Sequence, residues 1–363
     1  MKFNVIDHFE WLKAKPKHYL DLASSGVHGP ERLDELGVNF SDLPLSGGND
    51  YGYPPLKEWL ATKFGVGVDQ IALAQGASGA NFATIATLVN SNDQIVLETP
   101  VYQPMVAVAE VASNLPLKYF ERSAEEKYRV DPEKPFIAHA SPHLIIATNL
   151  HNPSGVYEPP ANFLQIADRV GKSGGWLLVD EIFQPFLKSW DWSSLASAHD
   201  RIVTTGSLTK AWGLSGLRMG WVVGPKEVIY KIQRLLDYTQ GVQSVFNEAL
   251  ALRLLEAGVA DRLLSNARTL ADSNRALVVK WLQDWGRASY VEPDGGVVLF
   301  ARNHNGVDTR EFIEKLYEKH NLLVTPGHFF RDPAGIRIGY SVSGQQVADW
   351  LPMVGEAFED YCK

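Results

Sequence analysis

The chain has 363 residues, of which 45% are hydrophobic and 21% are charged, and its formal net charge is −8. This composition is typical of a globular enzyme, and the length allows about two domains. The acidic balance argues against nucleic acid as a partner, because phosphate binding needs a basic surface. No run of about 18 apolar residues is present, so we expect no membrane span.

Cysteine usage and the N-terminal composition bear on the compartment. The single cysteine, Cys362, excludes an internal disulfide, and no Cys/His cluster has the spacing of a zinc site. Residues 1–22 mix charges and aromatics and contain no apolar stretch of signal-peptide length. We therefore expect a reducing compartment, with the cytoplasm as the default location.

Short apolar runs alternate with helical patterns through the first two thirds of the chain. This alternation predicts βαβ units and an α/β fold with a mainly parallel sheet that is covered on both faces. The predicted strands are 71–74, 94–98, 117–120, 144–148, 176–180, 202–205 and 220–223, separated by helices such as 80–89 and 161–170.

After about residue 225 the pattern becomes mainly helical. Residues 226–238 and 246–285 contain few helix breakers, and we expect the second stretch to break near Gly258. A smaller α+β segment follows, with strands at 297–302, 322–325 and 336–340, a helix at 309–320 and a last helix from Gln345. We predict a large domain formed by residues 31–245 and a small domain formed by 1–30 together with 246–363.

Candidate functional residues follow the predicted strands, where ligands bind in open α/β sheets. The first motif, residues 75–80, has small residues that let an anion approach, and the next helix N-terminus offers free N–H groups. Ser78 adds a hydroxyl donor. Taken alone, the motif is better explained by an ordinary glycine-rich turn, and it matches neither common nucleotide-binding pattern.

Two further motifs carry polar side chains. Asp180 ends an apolar strand, where a carboxylate is costly unless a cation such as a protonated heteroaromatic nitrogen meets it. Asn152 lies in a turn fixed by Pro153 and Gly155, which leaves its amide available for hydrogen bonding. Taken alone, Asp180 is more simply explained as a helix N-cap, and Asn152 as part of an ordinary Asn-Pro turn.

The last two motifs are cationic. Lys210 follows a buried strand amid apolar neighbours, and poor solvation lowers the pKa of an amine and makes it a nucleophile. Arg218 lies shortly after it, and a guanidinium matches a phosphate better than an ammonium does. Each alone would be read as a surface residue.

Together the five motifs resemble the class I/II aminotransferases, the pyridoxal 5′-phosphate (PLP) enzymes of the aspartate aminotransferase fold. The resemblance covers about residues 20–345 and is densest at 71–224. Segment 207–221 is similar to the lysine-arginine motif of the family almost position by position. The resemblance implies the three-layer PLP-dependent transferase fold type I, with a mainly parallel sheet in the large domain and a smaller α+β C-terminal domain.

The resemblance also implies roles for individual residues. Lys210 would carry PLP as a Schiff base and move the proton between substrate and cofactor. Asp180 would pair with the ring nitrogen, and Asn152 would hydrogen-bond the phenolic oxygen. The remaining cofactor contacts would come from Ala77, Ser78, Ser207 and Arg218 at the phosphate and from Tyr102 on the ring face.

Substrate and partner contacts are implied in the same way. Arg337 is similar to the arginine that clamps the substrate α-carboxylate, a two-pronged contact that would orient the substrate. The strip 22–26 resembles the lining of the substrate pocket, and Ser25, Gly26 and Asn152 are the expected substrate contacts. The resemblance does not decide whether Ser24 faces the substrate instead. Tyr51 resembles the tyrosine that reaches a phosphate in the partner subunit, which implies a homodimer. Packing or a surface ion pair is the alternative for Tyr51, Tyr102 and Arg337.

Phe183 is the one clear departure from the family pattern. The family usually has a tyrosine here, whose hydroxyl also bonds the phenolic oxygen. Without that donor, the pKa of the Schiff base should rise.

The main functional hypothesis is an aminotransferase that acts on an α-amino acid and a 2-oxo acid. A PLP-dependent lyase, cyclase or oxidase is the alternative, because the cofactor-binding residues serve all these reactions equally. A non-catalytic PLP-binding sensor is a third hypothesis, and the presence of both Lys210 and Arg337 argues against it.

Overall fold

Two β-sheets organise the chain, which the computed structural model describes over residues 3–16 and 19–362. The strands are β1 (Leu20–Leu22), β2 (Ile71–Gln75), β3 (Ile95–Thr99), β4 (Lys118–Glu121), β5 (Leu144–Thr148), β6 (Trp176–Asp180), β7 (Ile202–Ser207), β8 (Met219–Val223), β9 (Ala288–Tyr290), β10 (Val298–Asn303), β11 (Leu322–Pro326) and β12 (Gly335–Gly339). The helices are α1 (Asp7–Lys13), α2 (Pro54–Phe64), α3 (Gly76–Leu88), α4 (Gln103–Ala112), α5 (Lys134–Ala138), α6 (Pro160–Lys172), α7 (Lys226–Thr239), α8 (Val245–Glu256), α9 (Val259–Trp285), α10 (Thr309–His320) and α11 (Gly344–Tyr361).

The larger sheet has seven strands in the order β2-β8-β7-β6-β5-β3-β4. Strands β4, β3, β5, β6 and β7 pair in parallel, and β8 runs antiparallel to both of its neighbours. In β5, Ile145 and Ala147 enter one apolar cluster, while Leu144 and Ile146 enter another. Alternate residues therefore pack on opposite faces, which confirms the predicted three-layer α/β fold with a mainly parallel sheet.

The carboxyl ends of the parallel strands meet at one edge of this sheet. Thr148, which ends β5, is the register partner of Asp180, which ends β6, and Asp180 pairs with Thr205 of β7. Three polar side chains are thus brought side by side where the apolar strands stop. This edge positions the candidate site described below.

The smaller sheet has five strands in the order β1-β11-β12-β10-β9. Strand β1 pairs with β11 in parallel, and the remaining pairs are antiparallel. Because β1 comes from the first 30 residues, its pairing is in line with their predicted membership of the small domain. The boundaries at residues 30 and 245 stay a prediction.

Most predicted elements are present, with bounds shifted by a few residues. The expected break near Gly258 is confirmed, because this glycine has a φ of 70° and separates α8 from α9. The predicted start of a helix at residue 80 is wrong, since α3 begins at Gly76, directly after β2. The glycine-rich motif therefore forms the first turn of a helix, a position with free N–H groups.

Candidate active site

A cavity of about 290 Å³ opens at the carboxyl ends of the parallel strands, near the N-terminus of α3. This volume is close to the lower end of small-molecule sites, roughly 300 Å³. Most of the residues predicted from sequence meet here. The lining is Phe9, Ser25, Ala77, Ser78, Asn81, Tyr102, Thr148, Asn152, Asp180, Ile182, Phe183, Thr209, Lys210 and Arg218.

Lys210 lies three residues after β7 and is held by the strip that follows β1. Its Nζ donates to Ser25 Oγ at 2.9 Å, and its carbonyl accepts from Val27 N at 3.0 Å. A Cβ on Gly26 would lie 2.9 Å from Lys210 Cδ, so the close approach needs glycine. Burial, together with the positive charge of Arg337, lowers the pKa of Lys210 to about 8. The amine is therefore far more nucleophilic at neutral pH than a surface lysine.

Asp180 presents a buried carboxylate to the cavity. Its Oδ2 accepts from Asn81 Nδ2 at 2.7 Å, and its Oδ1 accepts from Ile182 N at 3.0 Å. Burial raises the pKa of Asp180, and the hydrogen bond from Asn81 is the strongest opposing influence. Such a carboxylate suits a protonated ring nitrogen, which would compensate its burial.

The N-terminal end of α3 has the features of a phosphate site. Arg218 adopts a left-handed φ of 49°, and its Nη2 lies so close that a Cβ on Gly76 would be 2.6 Å away. The hydroxyl of Thr209 is buried and has no hydrogen-bond partner among the described residues. Helix N–H groups, a guanidinium and an unpaired hydroxyl together fit a phosphate group. Ser207 lies behind them, where its Oγ accepts from Thr209 N at 3.2 Å.

Arg337 reaches the site from β12 of the other sheet. Its Nη1 donates to Asn152 Oδ1 at 3.2 Å, and its Nη2 donates to Ala23 O at 2.9 Å. Only 2% of Arg337 is exposed, so the surface ion pair considered from sequence is wrong. Burial lowers the pKa of Arg337 to about 10, and its Nε has no partner within residues 3–16 and 19–362.

A buried ion pair supports the turn that carries Asn152. Arg122 Nη1 lies 2.8 Å from Glu98 Oε2, and Glu98 Oε1 accepts from the Thr148 hydroxyl at 2.6 Å. The same hydroxyl accepts from Asn152 N at 3.0 Å. Sequence reasoning missed this pair, although a charge beside the end of a buried strand, as in β3 and β4, is a usable signal.

Helix α1 covers one side of the cavity with Phe9. The Trp11 indole and the Lys15 ammonium both donate to the Glu314 carboxylate on α10, which fixes α1 to the smaller sheet. On the other side, His8 N donates to Gln103 Oε1 of α4 at 2.7 Å. Nothing in the sequence of α1 indicates what it covers, so Phe9 was missed.

The remaining predicted residues have other surroundings. Tyr102 lines the cavity, and burial raises its pKa to about 12, so its hydroxyl stays protonated. Ser24 Oγ donates to Gly26 O at 3.2 Å and stabilises the strip. Tyr51 lies outside the cavity, is 48% exposed, and has the Arg234 guanidinium 4.5 Å from its ring.

None of the described helices is long and apolar enough to cross a membrane.

Comparison with known proteins identifies relatives over nearly the whole chain. The model of the family "Aminotransferase class I and II" matches residues 45–351. Capreomycidine synthase of Streptomyces vinaceus is 29% identical over 362 residues, which cover 96% of this chain and 92% of that protein. Arginine–pyruvate transaminase of Pseudomonas aeruginosa is 27% identical over 291 residues, which cover 78% of this chain and 73% of that protein.

Among solved structures, a PLP-dependent aminotransferase from Streptococcus suis superimposes with a TM-score of 0.89 and 23% identity, covering 100% of both chains. This similarity establishes the fold, and the family model covers most of the chain. The chain therefore belongs to the class I and II aminotransferase family, whose cofactor is PLP, and is an enzyme of the aminotransferase type.

Proposed function

We propose that Lys210, Asp180, Asn152 and Arg337 carry out amino-group transfer between an α-amino acid and a 2-oxo acid in this cavity. The observation that carries the proposal is the position of Lys210, whose amine has a pKa of about 8 and faces the same cavity as the Asp180 carboxylate. When bound, PLP supplies an aldehyde that captures amino groups and a ring that withdraws electrons.

The residues around the amine have separate roles in this proposal. Lys210 binds the cofactor through Nζ and, when released by the substrate, takes and returns the proton at the substrate Cα. Asp180 keeps the ring nitrogen protonated. Asn152 has its Oδ1 bonded by Arg337, so its Nδ2 is the end that donates to the phenolic oxygen.

We assign the phosphate to the N-terminus of α3, with Ala77 and Ser78, and to Arg218. Thr209 contributes a hydroxyl that sequence reasoning overlooked, and its lack of a partner among the described residues supports this assignment. Ser207 acts behind it by accepting from Thr209 N. Tyr102, which lines the same cavity, would contact the face of the ring.

Arg337 binds the substrate α-carboxylate in this proposal. A carboxylate would offset the cost of burying the guanidinium and would occupy its unpaired Nε. Because Arg337 also contacts Asn152, substrate and cofactor contacts are linked through one side chain. Ser25 lines the cavity next to Lys210, and Gly26 packs against the Lys210 side chain.

We further propose a cytoplasmic homodimer with shared active sites. Tyr51 supports this arrangement, since it is half-exposed and lies away from the cavity of its own chain, where a partner could use it. The exposed single cysteine, Cys362, fits a reducing compartment. Sedimentation of the purified protein measures the oligomeric state.

Elimination or cyclisation of an amino acid is the second candidate function. Phe183 lines the cavity where the family usually offers a tyrosine hydroxyl, and a relative at 29% identity is named a synthase. The two reactions differ only after the proton has left the substrate Cα, and the cofactor-binding residues are common to both.

A stoichiometry experiment tests the proposal. The PLP-loaded protein is mixed with single amino acids in the absence of any 2-oxo acid, and products are identified by mass spectrometry. Transamination releases one 2-oxo acid per active site and stops until an acceptor is added. Continued turnover without an acceptor, with a cyclic product or free ammonia, would instead establish the second candidate.

A further inference from the structure

Asn81 is a buried polar residue of α3 that lies between Asp180 and Thr205. Thr205 Oγ1 donates to Asn81 Oδ1 at 2.6 Å, and Asn81 Nδ2 donates to Asp180 Oδ2 at 2.7 Å. Asparagine has low helix propensity, and a buried amide is costly unless it is hydrogen-bonded. These two contacts therefore explain why a buried turn of α3 carries an amide.

The direction of the two hydrogen bonds is set by chemistry. An amide side chain has one acceptor end and one donor end. Since Thr205 occupies the acceptor end, the donor end of Asn81 must face Asp180. A reversed amide would place the Asn81 oxygen against the Asp180 carboxylate oxygen, which is now 2.7 Å from the amide nitrogen.

We propose that Asn81, oriented by Thr205, is a positioning residue that keeps Asp180 ionised and directed at the ring nitrogen of PLP. The inference rests on the proposed role of Asp180. The second carboxylate oxygen accepts from Ile182 N at 3.0 Å, so both oxygens are fixed by the protein. A carboxylate fixed in this way pairs with a ring cation without first reorienting.

Thr84 provides a matched control on the same helix. It lies one turn after Asn81, is fully buried, and its hydroxyl has no hydrogen-bond partner in the described part of the chain. Thr84→Val removes a buried hydroxyl from α3 without touching Asp180. It therefore reports the effect of disturbing the packing of α3 alone.

The test compares binding of PLP with binding of 1-deazapyridoxal 5′-phosphate, which has carbon in place of the ring nitrogen. Apoprotein is titrated with each compound, and dissociation constants are measured by absorbance. The wild type should prefer PLP. Asn81→Leu should reduce this preference about tenfold, because a hydrogen bond to a charged group is lost. Thr205→Val should reduce it severalfold, and Thr84→Val should leave it unchanged.

Two results would overturn the inference. If Asn81→Leu weakens binding of both compounds equally, Asn81 only supports the fold of α3. If the wild type itself binds both compounds equally, Asp180 does not pair with the ring nitrogen, and the role of Asn81 falls with it. Neither titration contains an amino acid, so both results are independent of the reaction that the enzyme catalyses. Thr205→Val keeps the test decisive if Asn81→Leu does not fold.

Discussion

The wall of the cavity that we assign to the cofactor comes from neighbouring strand ends, whereas the wall that we assign to the substrate joins distant segments. Thr148, Asp180 and Thr205 are register partners within one sheet. Arg337 of the five-stranded sheet and Asn152, which follows β5 of the seven-stranded sheet, are by contrast 185 positions apart and meet through a hydrogen bond of 3.2 Å. The first wall forms with the seven-stranded sheet, while the second exists only after the two sheets have packed together.

This difference separates two properties of the enzyme. Substitutions on the strand-end wall should alter cofactor affinity, and substitutions on the two-sheet wall should alter substrate affinity. Lys210 belongs to both, because it follows β7 and contacts Ser25.

Lys210→Ala should have the largest effect, because the residue is shared by both walls. We expect kcat to fall by about 1,000-fold, within the range for loss of a group that transfers protons. Borohydride reduction followed by mass spectrometry should find no pyridoxyl group on the variant protein. Lys188→Ala removes an exposed lysine and should retain full activity. A variant at position 210 with normal turnover would contradict the central assignment.

Arg337→Lys should reduce kcat/KM by about 100-fold, because the two-pronged contact with the α-carboxylate is lost. Most of the effect should lie in KM, and PLP affinity should change less than about twofold. Arg302→Lys, at an exposed arginine of β10, is the control. A parallel loss of PLP affinity would show that the two walls are not separable.

Capture of PLP by the apoprotein should depend on pH with a midpoint near 8. Because the pKa of Lys210 lies below that of a free lysine, the neutral amine accumulates as the pH rises through 8. The initial rate should therefore increase about tenfold between pH 7 and pH 9 and then level off. Stopped-flow absorbance measures this rate, with a free lysine derivative as reference. A rate that still climbs steeply above pH 9 would mean that Lys210 is not perturbed.

Phe183→Tyr should have the smallest effect and acts only on the cofactor wall. A new hydroxyl near the phenolic oxygen would lower the pKa of the Schiff base by about one unit or less. Absorbance titration of the loaded protein measures this change. Phe186→Tyr is the control, because the ring centroids of Phe186 and Phe183 are 6.4 Å apart and Phe186 is also buried. It should leave the pKa of the Schiff base unchanged. If the titration curve of Phe183→Tyr equals that of the wild type, the new hydroxyl does not contact the phenolic oxygen.

The contrast between the walls also explains what the sequence predicts. Asp180, Asn152 and Lys210 each follow an apolar strand, so their meeting follows from strand ends that share one edge of a sheet. Asn81 was missed because it lies within a helical pattern, although a polar residue on the buried face of α3 needs a partner. The phosphate motif was found, but its helical start at Gly76 was not, since small residues are typical of loops as well.

The substrate wall could not be predicted in the same way. Phe9 reaches the cavity because Glu314 of α10 and Gln103 of α4 both bind α1. No periodicity in residues 7–13 indicates which distant surface they cover. Arg337 was assigned only through family resemblance, and its contact with Asn152 depends on how the two sheets pack.

The attachment of β1 to the smaller sheet has a mechanical consequence. Only residues 23–25 connect β1 to Gly26, which packs against Lys210, and three extended residues span about 10 Å at most. So short a tether holds Gly26 close to the five-stranded sheet. Any displacement of that sheet would therefore move Gly26 against Lys210 and change the solvation of the reactive amine.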